Sequence, residues 1–310
     1  MTRSISAAAK APLGKRILKN WQLYLFVLPA VAYFIIFKYV PLYGIQIAFR
    51  NYKAADGFFG SEWVGLAHFI RFFRSYYFGT VIRNTLTITG LSLLLGFPVP
   101  ILFALLLNEI LHTKYQKLIQ TISLAPHFIS TVVMCGMLII FLNPTTGLFN
   151  HIRSALGLTS FNYLQSASGF KWIYILSGIW QETGWSSIIY FAALAGVDSA
   201  LLEAARIDGA NKWQRIWHIN LPVLVPTIVI LLIMQCGSLL SVGFEKVYLL
   251  QNDTNLSASE VISTYVYKVG LIKSDFSFST AVEMFNSVIN CILLLLVNFI
   301  AGRLGETSLW

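Results

Sequence analysis

Six apolar stretches of roughly 20 or more residues, near 22–47, 81–108, 118–142, 172–196, 222–250 and 277–302, dominate this chain, and each can cross a bilayer as a helix. A soluble core cannot hide that much apolar surface. Of 310 residues, 56% are hydrophobic and 11% charged, and the mean hydropathy is +0.69. In lipid every backbone N–H and C=O needs an internal partner, so the expected fold class is an all-α integral membrane protein with six transmembrane helices.

The formal net charge is +9, but Lys and Arg are scattered between the apolar runs. That distribution argues against a nucleic-acid partner and for membrane lipid as the surroundings. Lys10, Lys15, Arg16 and Lys19 precede a first run, Trp21 to Phe49, that is broken only by Lys38. It is too long for a signal-peptide core and contains no small-residue cleavage site, so an uncleaved first helix with its basic end inside is expected. Six spans then put both termini in the cytoplasm: a basic tail over 1–20, the membrane domain over 21–302 and a short tail over 303–310. Segments 50–80, 143–171 and 251–275 fall outside, and 109–117 and 197–221 inside. Cys135, Cys236 and Cys291 each sit in an apolar stretch and read as small hydrophobes, with no disulfide or metal framework.

The inner segment 197–221 is unusually long and patterned. Leu201, Leu202, Ala204, Ala205 and Ile207 give a short helix an apolar surface, and Asp208-Gly209-Ala210-Asn211 punctuates it as a turn. A second short helix follows, with Trp213, Ile216, Trp217 and Ile219 among Lys212, Arg215 and His218. At Leu221-Pro222 proline either stops it or opens the next membrane helix. Such a hairpin can rest on lipid headgroups or seat itself in a partner's groove, where Ala204 and Ala205 permit close approach.

The string EAARIDGANKWQRIWHINLP, from Glu203 to Pro222, resembles the EAA loop of ABC importer permeases in its spacing from Glu-Ala-Ala to Gly and from Gly to Ile-x-Leu-Pro. Trp63-Val64-Gly65-Leu66 with Phe69, Asn84-Thr85-Leu86 and Ala104-Leu105-Leu106-Leu107-Asn108 extend the resemblance to the carbohydrate branch, although His68 stands where Asn is common. The resemblance implies the type I importer permease fold in a bacterial cell membrane. It also implies a second homologous permease as heterodimer partner, two ATPase subunits, an external solute-binding protein, and an oligosaccharide cargo such as a polysaccharide-degradation product. Coupling to the ATPase would run through Glu203, Ala204, Ala205, Asp208, Gly209, Ala210, Trp213, Ile216, Ile219, Leu221 and Pro222.

The chain has no motor of its own. Its only Gly-Lys pair, Gly14-Lys15, lacks the upstream glycine and following Ser or Thr of a phosphate-cradling loop, so Mg-ATP is expected on the partner subunits. No nucleophile elbow or metal-ligand pattern appears, His112, His127, His151 and His218 are dispersed, and no catalytic residue is assigned.

Polar groups within the apolar runs are the candidates for a substrate path, because lipid penalises them. They are Trp180, Glu182 and Trp185, then Gln235, then Glu283, Asn286 and Asn290. Aromatic faces and amide or carboxylate groups suit sugar rings and hydroxyls. Equally, amides hold helices together across a bundle. Glu245 is expected to pair with its neighbour Lys246 near the outer interface. A secondary transporter or channel would need no motor but should carry ion-coupling groups or repeats; a membrane enzyme would need a compact catalytic constellation. Neither is evident.

Overall fold

The computed structural model describes residues 19–110, 112–303, 305, 308 and 309. The expected tail over 1–20, apart from its last two residues, lies outside the described residues, as do Leu304, Glu306, Thr307 and Trp310.

Among the described residues four helical segments are long and apolar enough to span a membrane: Trp21–Phe49, Phe78–Asn108, Lys212–Cys236 and Phe276–Arg303. Two bent pairs, Thr113–Phe128 with Thr131–Phe141 and Ala167–Leu194 with Ser199–Ile207, raise the number to six if each is one span. In chain order we label α1 Trp21–Phe34, α2 Phe78–Gly96, α3 Pro98–Asn108, α4 Thr113–Leu124, α5 Thr131–Phe141, α6 Ala167–Leu194, α7 Ser199–Ile207, α8 Lys212–Arg215, α9 Leu221–Cys236, α10 Phe244–Leu250 and α11 Phe276–Arg303.

Two expected helices differ from a straight span. The third window, 118–142, bends by 94° between α4 and α5. Pro126 lies in the single 3-10 turn before the bend, Ile129 and Ser130 are extended, and the Ser130 side chain caps the restarted helix at the Val133 N–H. The Ile129 carbonyl freed by the bend accepts from Gln181 Nε2 of α6 at 2.8 Å, which meets the demand that no backbone group at membrane depth go unpaired. The fifth window, 222–250, begins earlier and breaks sooner: helix runs from Lys212 to Cys236, and α10 is separate. In the break, Asn290 of α11 accepts the Leu240 N–H at 2.9 Å and donates to Ser241 Oγ at 3.1 Å.

Three apolar clusters run along the molecule. Phe72, Val81, Ile262 and Phe278 form one, Ile88, Cys135, Phe170 and Val247 the next, and Ile101, Leu105, Tyr190, Ile216 and Leu224 the third. The expected outer segments gather at one end. There a two-residue antiparallel ribbon, β1 Arg50–Asn51 with β2 Glu62–Trp63, joins Arg71–Asp275 at 2.8 Å, Asn84 to the Ser257 and Glu260 carbonyls, and Asn255 to the Leu164 carbonyl at 2.8 Å. Asn255 is fully buried and holds its loop. The expected inner segments, 109–117 and 197–221, meet where Arg215 pairs with Glu109. Residues 21–39 bury no side chain within the chain.

Candidate functional site

The inner hairpin is built by its own backbone. Asp198 caps α7 by accepting the Ala200 N–H. The helix stops because Gly209 adopts φ +80°: the Ala210 N–H reaches back to the Ala205 carbonyl at 2.8 Å and the Gly209 N–H to the Arg206 carbonyl at 3.1 Å. This is the paired closure of a Schellman motif, which needs a residue tolerant of the left-handed region. Asn211 and Gln214 then form a reciprocal capping box that starts α8. No stop follows. A π-helical turn, Ile216–Asn220, closed by the Leu221 N–H on the Ile216 carbonyl, leads into Pro222 at the first turn of α9, where a missing N–H is tolerated, and the helix continues to Cys236.

The second half of the hairpin is therefore the end of a membrane helix. It is fastened to another: Arg215 Nη2 lies 2.6 Å from Glu109 Oε2 at the foot of α3, Asn220 Nδ2 donates to Glu109 Oε1 at 3.2 Å, and Arg215 Nη1 donates to the Ala210 carbonyl at 2.9 Å. Both members of the ion pair are about nine-tenths buried. Sequence reasoning missed Glu109. Its signal was a lone carboxylate closing an apolar run, and its partner lies far along the chain.

The hairpin residues divide by face. Glu203, Ala204, Asp208 and Gly209 are exposed, and so are Ile207 at 86% and Trp213 at 63%. Ile216 instead turns inward to Leu105, Tyr190 and Leu224, so its role is to anchor rather than to present. Ala205, Ala210 and Ile219 line a shallow recess under the turn. Leu221 and Pro222 open α9.

A second feature lies at mid-bundle, a cavity of about 910 Å³ between α2, α3, α6, α9 and α10. Of the expected path residues, Glu182, Trp185 and Gln235 line it. Trp180 does not, and its side chain is exposed elsewhere. Asn290 is occupied with the broken backbone after α9, while Asn286 donates to Glu283 at 3.3 Å outside the cavity.

Glu182 is not alone there. His127 Nδ1 lies 3.0 Å from Glu182 Oε2, and its ring stacks on Trp185 with centroids 4.3 Å apart and planes within 5°. The bend after α4 brings this histidine to α6, which is why the chain order hid it. The expected Glu245–Lys246 pair does not form. Consecutive residues of a helix point apart; Lys246 is buried against α6, donating to the Tyr174 carbonyl at 3.1 Å with its ammonium 5.0 Å from the Tyr174 ring centroid. Among the described residues no group of three or more His, Cys, Asp or Glu side chains could hold a metal ion.

Comparison with known proteins agrees with this geometry. Residues 96–306 match the family described as binding-protein-dependent transport system inner membrane component. The polygalacturonan/rhamnogalacturonan transport system permease protein YteP of Bacillus subtilis is 44% identical over 95% of this chain and 92% of its own length. Protein LplB of the same organism is 42% identical over 93% and 91%. Among solved structures, a chain of a bacterial alginate ABC transporter in complex with its alginate pentasaccharide-bound periplasmic protein superposes with a TM-score of 0.88 at 42% identity, covering 96% of this chain and 99% of that one.

Proposed function

This chain belongs to the binding-protein-dependent transport system inner membrane component family, so it is a non-catalytic permease subunit of an ATP-driven importer in the inner membrane, and we propose that it carries an acidic oligosaccharide. The relatives support that cargo: one is named for polygalacturonan, a polymer of a uronic acid, and a 43% identical solved transporter imports the acidic polysaccharide alginate.

The single structural observation behind the mechanism is the unbroken helix from Lys212 to Cys236, pinned to α3 through Arg215 and Glu109. A partner that grips the exposed Glu203–Gly209 surface would move α9 and α3 together, because both are joined to that surface without a flexible linker. Such a rigid-body displacement is how closure of an ATPase could be converted into alternating access at the mid-bundle cavity. In this reading two ATPase subunits hold Mg-ATP and a second, homologous permease supplies the other half of the path. The hairpin and both termini face the cytoplasm. An external binding protein delivers cargo to the opposite end, where 50–80, 143–171 and 251–275 collect. Within the cavity Trp185, stiffened by His127, offers a flat face, and Glu182 and Gln235 offer acceptors and donors for sugar hydroxyls.

The test is uptake by the complete importer in proteoliposomes. Accumulation of an acidic oligosaccharide that requires both ATP and the loaded binding protein is expected. Uptake by this chain without ATPase subunits would contradict the reading.

A further inference from the structure

We propose that Lys246 is the carboxylate subsite of the translocation path, binding uronate groups of the cargo as they pass through the mid-bundle cavity; this rests on the acidic-oligosaccharide reading above. Lys246 lines the cavity yet is only 9% exposed. Its ammonium has three N–H groups, of which one is directed to the Tyr174 carbonyl. Among the described residues no carboxylate lies within ion-pairing distance of it.

A buried cation without a counter-ion is costly, and proteins keep one only where something offsets it. The two carboxylates of the same cavity make no ion pair with it. Glu182 reaches Lys246 only through its longer-range field and is itself engaged by His127 at 3.0 Å, and Glu245, the neighbour of Lys246 on the same short helix, is not within pairing distance. The Tyr174 carbonyl and ring hold the ammonium by a hydrogen bond and a cation–π contact. Neither neutralises it. The position is therefore held in advance of an anion. Glu182, beside Trp185, suits a hydroxyl-bearing ring, and Lys246 suits the carboxylate on such a ring; both line one continuous cavity. A neutral glycan would leave the ammonium unpaired, so the subsite selects for acid-bearing cargo.

The test compares a trigalacturonate with its carboxyl-reduced counterpart, each preloaded on the binding protein, in proteoliposomes of the complete importer bearing wild-type chain, Lys246→Gln or Lys246→Arg. Lys246→Gln is expected to slow uptake of the acidic trisaccharide by on the order of tenfold, the size of one lost charge-assisted contact. Uptake of the neutral one should be unchanged, and Lys246→Arg should keep most of the acidic uptake. Neutral uptake also reports that the variant is folded and coupled. An equal fall for both cargos would instead make Lys246 a packing or inter-subunit element, and no change for either would remove it from the path; each result overturns the proposal. Wild-type protein that refuses the acidic trisaccharide would sink the cargo reading itself, and the subsite with it.

Discussion

Arg215 sets its guanidinium 2.6 Å from the Glu109 carboxylate across 106 positions of sequence, joining the inner hairpin to the foot of α3. Removing one partner of a buried pair leaves the other charge uncompensated, at about 3–5 kcal/mol. Glu109→Ala is expected to lower the thermal unfolding temperature of the detergent-solubilised chain and to reduce transport more than ATP hydrolysis. The exchange Glu109→Arg with Arg215→Glu should recover part of both. Transport and hydrolysis falling in proportion would show that the pair only holds the fold.

Gly209 sits at φ +80° with open space around a would-be Cβ, so substitution there acts through backbone strain and not through collision. Gly209→Val should cost about 1–3 kcal/mol locally, and Gly209→Asn less, since Asn tolerates the left-handed region better. The expected order of binding-protein-stimulated ATPase activity is wild type, Asn, Val. Equal activity in all three would mean that the turn's shape is irrelevant to coupling.

Gly184 lets α6 cross α4 so closely that a Cβ would overlap the Ser123 carbonyl backbone. Gly184→Val is expected to destabilise the chain by about 1–3 kcal/mol or more, seen as lost monodispersity in size-exclusion chromatography. The neighbouring position Thr183 should tolerate Ser.

Asn290 was a candidate for the substrate path on sequence alone, and the structure gives its amide to the Leu240 backbone N–H and the Ser241 hydroxyl. Asn290→Leu orphans the Leu240 N–H, worth about 1–3 kcal/mol. The variant should melt earlier while keeping its preference among cargos. A changed preference with unchanged melting would return Asn290 to the path.

These residues indicate what sequence could and could not reveal. Hydropathy marks where helices lie, because burial in lipid is a sum over local residues, and the Glu203–Pro222 string is contiguous, so its turn was readable, while its caps at Asp198 and Asn211 were not read and Ile216, expected on the presenting surface, is buried in the bundle. The bend at Ile129–Ser130 and the break after Cys236 escaped that sum: apolar residues dominate on either side of both, and the hints were single residues, Pro126 before the one and Gly237, Ser238, Ser241 and Gly243 within the other. Partner choice is a different matter. Whether Asn290 meets a sugar or a backbone, or Lys246 meets Glu245 or Tyr174, depends on which helices cross. Only the last of these had a local clue, since adjacent helical residues cannot face each other. The union of His127, Glu182 and Trp185 required the bend itself.

The central claim is that the exposed Glu203–Gly209 surface receives the ATPase. It is tested most directly by affinity purification of tagged chain from its native membrane, comparing wild type with Glu203→Lys and Gly209→Asp. An ATPase subunit recovered with wild type and lost from both variants, all three being present in the membrane at similar levels, is the predicted result. Undiminished recovery with both variants would contradict it and leave the hairpin as an element resting on lipid.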